Sequence, residues 1–435
     1  MSEDTANLKC SFCEKRGKEV KKLIAGPGDI FICDGCVDLC HDILHPGSEA
    51  AKKSSSTSVE PVAEAETQSI PTPRQIKEHL DSYIIGQDEA KTAVSVAVYN
   101  HYQRLANPNV DGVELDKSNI LLLGPTGCGK TLIAQTIARL INVPFAIADA
   151  TALTEAGYVG DDVESIITKL LQAAEYDVEK AERGIVYLDE IDKKARRGET
   201  ASGSRDVSGE GVQQGLLKLL EGSEVFVQAA GGRKSPHGEM FKVNTKNILF
   251  ICGGAFVGID KIVERDLNKD AGGIGFGAKA IGKKKDGLSA LFQKIEPEHV
   301  QKYGLIPELV GRLPVFAALT ELTEDQLVHV LTEPKNAVVK QFEALFKLSG
   351  VELEFTPDAL SAVAARSIKR KTGARGLRGV IEANLLKTQF DLPDLARDGL
   401  ARITVDRAVI EEGGRPALHF RPVEGQALLP PPAAE

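Results

Sequence analysis

Beyond residue 73 the chain alternates between two hydrophobic rhythms. Ile120-Leu121-Leu122-Leu123, Ile185-Val186-Tyr187-Leu188 and Ile248-Leu249-Phe250-Ile251 are short runs, apolar throughout. Runs of that length and character suit strands covered on both faces, as in a parallel sheet. Between them, Leu132–Leu140, Val163–Ala174 and Gly215–Leu220 repeat apolar residues at helical spacing. Strands alternating with helices predict an α/β fold with a parallel sheet. Ala255–Asp286 follows neither rhythm and is rich in Gly and Lys, so it reads as a long mobile loop, of the length that is usually functional or disordered.

From about Thr320 the pattern becomes mostly helical. Thr323-Glu-Asp-Gln326 is a capping box. Thr356-Pro357 joins an N-cap residue to Pro at the first helical position. Ala364–Thr388 reads as helix broken at Thr372-Gly373, and Ala401–Val405 as one edge strand. No internal repeat is visible. At the other end, Gly47–Pro73 is built from Ser, Ala, Glu, Thr and Pro and buries too little to fold. The expected organisation is a Cys-rich module at 1–47, a flexible linker at 48–72, a large α/β domain at 73–319, a small helical domain at 320–425 and a disordered tail at 426–435.

Composition narrows the functional classes. The 435 residues are 42% hydrophobic, enough for sizeable cores, and lack Trp, so those cores are aliphatic. The net charge of -9 argues against a nucleic-acid partner. Met1–Leu8 lacks the basic and apolar regions of a secretory signal, and no apolar run is long enough to cross a bilayer. A cytoplasmic location without a membrane partner is therefore expected.

Gly124-Pro125-Thr126-Gly127-Cys128-Gly129-Lys130-Thr131 matches the phosphate-binding pattern G-x-x-x-x-G-K-[ST] and lies between a predicted strand and a predicted helix. Its glycines let backbone N–H groups turn toward phosphates, and the next helix presents its positive end. Lys130 is expected on the β- and γ-phosphates of ATP and Thr131 on Mg²⁺. The Ile185–Leu188 run ends in Asp189-Glu190, which delivers two carboxylates to the same sheet edge. Asp189 is the candidate magnesium ligand and Glu190 the residue that activates water.

Of seven Cys, Cys10-x₂-Cys13 and Cys33-x₂-Cys36 are separated by nineteen residues. Two such pairs complete a tetrahedral four-thiolate site that leaves no place for water, so the metal is structural. Zinc is favoured, with an iron–sulfur cluster as the alternative. Cys40, His41 and His45 are spare potential ligands.

Together these features resemble the AAA+ ATPases, which implies a ring, usually a hexamer, with ATP at subunit boundaries. Arg312 in Gly311-Arg312-Leu-Pro314 resembles the finger that reaches a neighbour's γ-phosphate. Arg375 in Gly373-Ala-Arg375 resembles the small-domain sensor, with Arg378 as runner-up. The strand ending Cys252-Gly-Gly-Ala255 carries no polar side chain for the sensor usual at that point.

More narrowly, residues from about Pro73 to His419 resemble the ClpX family of protein unfoldases that feed the ClpP peptidase. The resemblance is carried by Tyr83-Ile-Ile-Gly-Gln87, Val98-Tyr-Asn-His-Tyr102, Gly157-Tyr-Val-Gly160, Arg205–Gly211 and Gly304–Arg312. It implies nucleotide contacts from Ile84, Ile85 and Leu132, and a pore loop at Tyr158 and Val159. It also implies a basic pore entrance at Arg233 and Lys234, where Ser235 stands in place of the family's His, and peptidase docking through Ile274-Gly275-Phe276. Substrates and adaptors would be received by the zinc module. The competing readings are a nucleic-acid motor with a DNA-binding zinc module, and an adaptor whose ATPase is only a switch.

Overall fold

The structure is a computed structural model that describes residues 9–13, 15–16, 20, 22–27, 30–37, 70–154, 161–196, 209–228, 240–270 and 291–421. The chain divides into two compact units, Met1–Gln68 and Ser69–Glu435.

In the first unit β1 (Leu23–Ala25) pairs antiparallel with β2 (Phe31–Cys33). The second unit begins with a helix at Pro73–Asp81, closed by a capping box between Thr72 and Gln75. A longer helix, Asp88–Ala106, follows, and then a small hairpin of β3 (Asn109–Val110) and β4 (Val113–Glu114).

The central sheet comprises β5 (Ile120–Leu123), β6 (Phe145–Asp149), β7 (Ile185–Asp189), β10 (Leu249–Gly254) and β11 (Val315–Ala318), with the hairpin β8 (Glu224–Gln228) and β9 (Met240–Asn244) beside it. Its order is β11-β5-β10-β7-β6, parallel throughout. Both faces are covered, which explains why the strands read as unbroken apolar runs. Leu121, Leu123, Val186, Leu188 and Phe250 pack on one side with the helices Ser165–Ala173 and Glu210–Glu221. Ile120, Leu122, Ile185, Tyr187 and Ile251 pack on the other with Pro73–Asp81, Asp88–Ala106 and Lys130–Ile141. After β5 the chain proceeds toward the β6 edge; after β10 it proceeds toward the β11 edge. That divergence between neighbouring strands is the topological switch where α/β sheets bind ligands.

Helices at Glu324–Thr332, Val338–Leu348, Pro357–Lys369, Ala374–Arg397 and Arg407–Glu412 enclose a separate core around Phe342, Phe346, Leu377 and Ile381. They pack with a sheet ordered β12 (Glu352–Phe355), β13 (Leu400–Val405), β14 (Ala417–Phe420). The expected caps are present: Thr323 and Gln326 form the capping box, and Thr356 accepts from Ala359 N–H.

Two expectations need correction. The segment expected as a loop from Ala255 to Asp286 contains a helix, Ile259–Asp270, held by two fully buried side chains one turn apart, Ile259 and Val263. So few apolar anchors among charged residues leave little periodicity to read. The strand at Ala401–Val405 is the centre of its sheet and not an edge, with β12 parallel on one side and β14 antiparallel on the other. Its flanking strands are only four residues each, Glu352-Leu-Glu-Phe355 and Ala417-Leu-His-Phe420, too short to give a strand signal.

Candidate active site and metal centre

The phosphate loop leaves β5 and opens the helix Lys130–Ile141. Its first two glycines are required by space as well as backbone. Gly124 has φ 152°, and a Cβ there would lie 2.5 Å from the carbonyl oxygen of Leu319. Gly127 has φ 82°, and a Cβ there would lie 2.8 Å from that of Thr372. The loop is therefore pressed between the end of β11 and the turn before the helix Ala374–Arg397. Gly124 N–H donates to the Gly254 carbonyl at the end of β10 (3.2 Å). Ile84 is buried beside Gly129, 3.9 Å from where its Cβ would be, while Ile85 is half-buried and Leu132 exposed.

Lys130 is buried and folds back on its own loop, where Nζ donates to the carbonyls of Gly124 (2.5 Å) and Pro125 (2.8 Å). The free N–H groups at the start of a helix attract anions, and Lys130 adds a cation at that point. Burial raises the Cys128 thiol above its ordinary range, so it stays neutral inside the loop.

Asp189 is at the end of β7. Thr131 Oγ1 donates to its Oδ2 (3.3 Å), while Tyr187 OH (3.1 Å) and Glu190 N–H (3.0 Å) donate to Oδ1. Thr131 and Asp189 offer only oxygen, the donor set Mg²⁺ prefers, so the pair fits that ion. Burial pushes the Tyr187 hydroxyl far above its usual range, so it remains a donor. Glu190 follows in left-handed conformation (φ 57°) and is exposed.

The two arginines occupy different surroundings. Arg375 is the second residue of the helix Ala374–Arg397, whose N-cap Gly373 packs against the phosphate loop; a Cβ on Gly373 would lie 3.2 Å from the Thr126 carbonyl oxygen. Arg378 pairs within the small domain with Glu382 (2.7 Å) and Gln341 (2.9 Å), whereas Arg375 is exposed in the first turn of the helix that opens beside the loop. Arg312 pairs with Glu221, Nε to Oε1 at 3.0 Å. Its backbone carbonyl accepts from Asn119 Nδ2 (2.9 Å), immediately before β5. The phosphate loop begins at the opposite end of that strand.

In the first unit the sulfurs of Cys10, Cys13, Cys33 and Cys36 lie within 4.8 Å of one another. Cys10–Cys36 and Cys13–Cys33 are 3.9 and 3.6 Å apart. A tetrahedron with Zn–S bonds of about 2.3 Å requires sulfurs about 3.8 Å apart, so the cluster fits zinc. Burial opposes ionisation of Cys10, but backbone bonds from Phe12, Cys13 and Cys33 outweigh it and lower its pKa to about 6. The neighbouring Cys13 and Cys33 push the Cys36 thiol the other way, because four sulfurs this close cannot all ionise without a cation among them.

Tyr158, Val159, Arg233, Lys234, Ile274, Gly275, Phe276 and Cys40 lie outside the described residues. Sequence reading missed Tyr187 at Asp189, Glu221 at Arg312 and Asn119 beneath it. Tyr187 reads only as strand core, and Glu221 and Asn119 only as polar residues at element ends; no motif spacing marks these contacts. Among the described residues, no helix is long and apolar enough to cross a membrane.

Comparison with known proteins agrees with this geometry. Residues 115–316 match the family described as AAA domain (Cdc48 subfamily). Residues 322–393 match the C-terminal, D2-small domain of ClpB protein, and residues 8–45 the ClpX C4-type zinc finger. The fold and site thus define an AAA+ ATPase carrying a four-cysteine zinc finger. A protein of Treponema denticola, described as ATP-dependent Clp protease ATP-binding subunit ClpX, is 52% identical over 389 residues, 89% of this chain and 91% of the relative. The chain belongs to the ClpX family.

Proposed function

We propose that this chain is one subunit of a homo-hexameric ring that unfolds tagged proteins by ATP hydrolysis and threads them into the ClpP peptidase, with chaperone activity when the peptidase is absent. The observation that carries the ring is the position of Arg312. From Asn119 to Gly124 the strand spans about 16 Å at about 3.3 Å per residue, and an arginine side chain covers less than half of that. Arg312 therefore serves a phosphate loop only across a subunit boundary. A finger of this kind contributes about 10³–10⁵ in rate. The peptidase partnership is supported by the 52% identical relative, which is named as the ATP-binding subunit of a Clp protease.

In this reading Lys130 exchanges the Gly124 and Pro125 carbonyls for the β- and γ-phosphates of ATP. Thr131 and Asp189 would hold Mg²⁺, which when bound would draw charge from the phosphate oxygens. Glu190 takes a proton from the attacking water, Arg375 contacts the nucleotide from the same chain, and the neighbour's Arg312 stabilises the charge that develops. Ile84, Ile85 and Leu132 lie along the nucleotide. Tyr158 and Val159 grip polypeptide in the pore, Arg233 and Lys234 attract acidic tag termini at its entrance, and Ile274-Gly275-Phe276 docks on ClpP. The zinc finger receives substrates and adaptors. The boundaries at 47, 72, 319 and 425 are proposed to separate these tasks.

The test is ATP-dependent loss of fluorescence from a tagged, folded reporter, with and without ClpP. Unfolding in both arms, and destruction only with ClpP, is expected. Stimulation of ATP turnover by DNA but not by tagged protein would refute the unfoldase reading in favour of a nucleic-acid motor.

A further inference from the structure

The strand β10 reaches the phosphate loop as Cys252-Gly253-Gly254, with no polar side chain of its own. Cys252 pairs with Leu188, so Gly253 comes level with Asp189 of the neighbouring strand. The space beside Gly253 is filled from β7. A Cβ built on Gly253 would lie 2.2 Å from the Tyr187 hydroxyl oxygen. Tyr187 and Asp189 are two residues apart and so share a face of β7. The ring of Tyr187 is fully buried, and its hydroxyl ends 3.1 Å from Asp189 Oδ1. The two oxygens of Asp189 are thereby divided. Oδ1 takes the Tyr187 hydroxyl and Glu190 N–H, and Oδ2 takes the Thr131 hydroxyl.

We propose that Tyr187 is a positioning residue for the magnesium site: its hydroxyl, admitted by the missing side chain at Gly253, fixes the Asp189 carboxylate so that Oδ2 remains with Thr131. The polar group that the end of β10 lacks is supplied by the strand next to it. Without the hydroxyl, one backbone N–H is left to orient Oδ1, and the carboxylate is free to turn about its bond to Cβ. The inference rests on the reading of Thr131 and Asp189 as the pair that meets Mg²⁺.

The test uses the full chain and needs no turnover. Binding of a fluorescent ADP analogue is titrated with Mg²⁺ and repeated in EDTA, for the wild type, Tyr187→Phe and Gly253→Ala. Melting of each nucleotide-free protein is recorded alongside. Tyr187→Phe removes one hydrogen bond to a charged group, which sets an expected rise of about 10-fold in the Mg²⁺ concentration for half-maximal binding. Affinity in EDTA and the melting temperature should change little. Gly253→Ala, whose Cβ displaces the hydroxyl, should raise the same midpoint. An unchanged Mg²⁺ midpoint in either variant, or a loss of affinity equal in Mg²⁺ and EDTA, overturns the positioning role and leaves the nucleotide site intact. A wild type that binds no analogue under either condition overturns the nucleotide reading itself, and the inference with it.

Discussion

Glu190 occupies a backbone region that non-glycine residues seldom enter, with φ 57°. Such strain costs about 1–3 kcal/mol and persists where a site demands it. Here it lets β7 turn sharply after Asp189, whose Oδ1 accepts the Glu190 N–H, and leaves the glutamate exposed at the sheet edge. Glu190→Gln keeps the size and the turn but cannot take a proton. It should bind ATP normally and release phosphate at least about 10²-fold more slowly; near-normal turnover in a phosphate-release assay would remove Glu190 from that role. Arg312 shows the same economy of position. Its exposed pair with Glu221 is worth little by itself, so the guanidinium can leave at low cost, while Asn119 keeps its backbone in place.

At the scale of elements, the turn Thr245–Asn247 that launches β10 is capped by three side chains from the preceding segments. His101 Nε2 meets the carbonyl of Asn247 (3.1 Å), Arg104 donates to that of Lys246 (3.3 Å) and Lys117 to that of Thr245 (3.0 Å). Lys117 also lies over the Phe250 ring, 4.6 Å from its centre. Gathering basic groups out of water has a cost that shows in their titration. Burial lowers His101 to about 3, and burial with Arg104 nearby lowers Lys117 to about 7. Between pH 7 and about 10.4 the unfolded chain therefore holds a proton on this lysine that the folded chain has released. The stability contribution of Lys117 is thus most unfavourable below pH 7 and improves as pH rises. Lys117→Met should raise the melting temperature at pH 7 and flatten its rise toward pH 10. Parallel melting curves for the two proteins across that range would count against the burial of this amine.

For the whole molecule, the two compact units make separate demands. Among the described residues of the first, a two-stranded hairpin and the cluster of Cys10, Cys13, Cys33 and Cys36 offer little apolar core, so metal binding and folding are expected to be one event, typically worth about 10–16 kcal/mol. Chelation should release one zinc per chain, make Cys10, Cys13, Cys33 and Cys36 newly reactive to a thiol reagent and leave basal ATP turnover of the second unit intact. Turnover that falls in step with zinc loss would show that the units are not separable. Within the second unit, the Gln87 side chain bridges the segment beside the phosphate loop to the start of the small domain, where Lys335 also lies over the Tyr83 ring. Gln87 donates to the Thr320 carbonyl and accepts its N–H, both at 2.9 Å, at the point where the chain leaves the sheet. That paired clip fixes the start of the small domain against the segment that precedes the helix Asp88–Ala106.

Much of this protein was legible in its residues because the signals were local. Gly124–Thr131, the apolar strand ending in Asp189-Glu190, the paired Cys-x₂-Cys and the caps at Thr323 and Thr356 each act within a few residues of chain, where spacing alone dictates geometry. The helix at Ile259–Asp270 and the small-domain sheet were hidden because their apolar signal is thin and is completed only by packing partners. Tertiary structure alone decided the rest. It set Tyr187 against Asp189 in the space left by Gly253, paired Arg378 with Gln341 of the neighbouring small-domain helix, and put Arg312 at the far end of β5 from its own phosphate loop. The last two choices depend on residues dozens to nearly two hundred positions apart, and the first on the neighbouring strand's missing side chain. No periodicity along the chain encodes such meetings; they exist only once the sheet order brings those strands side by side.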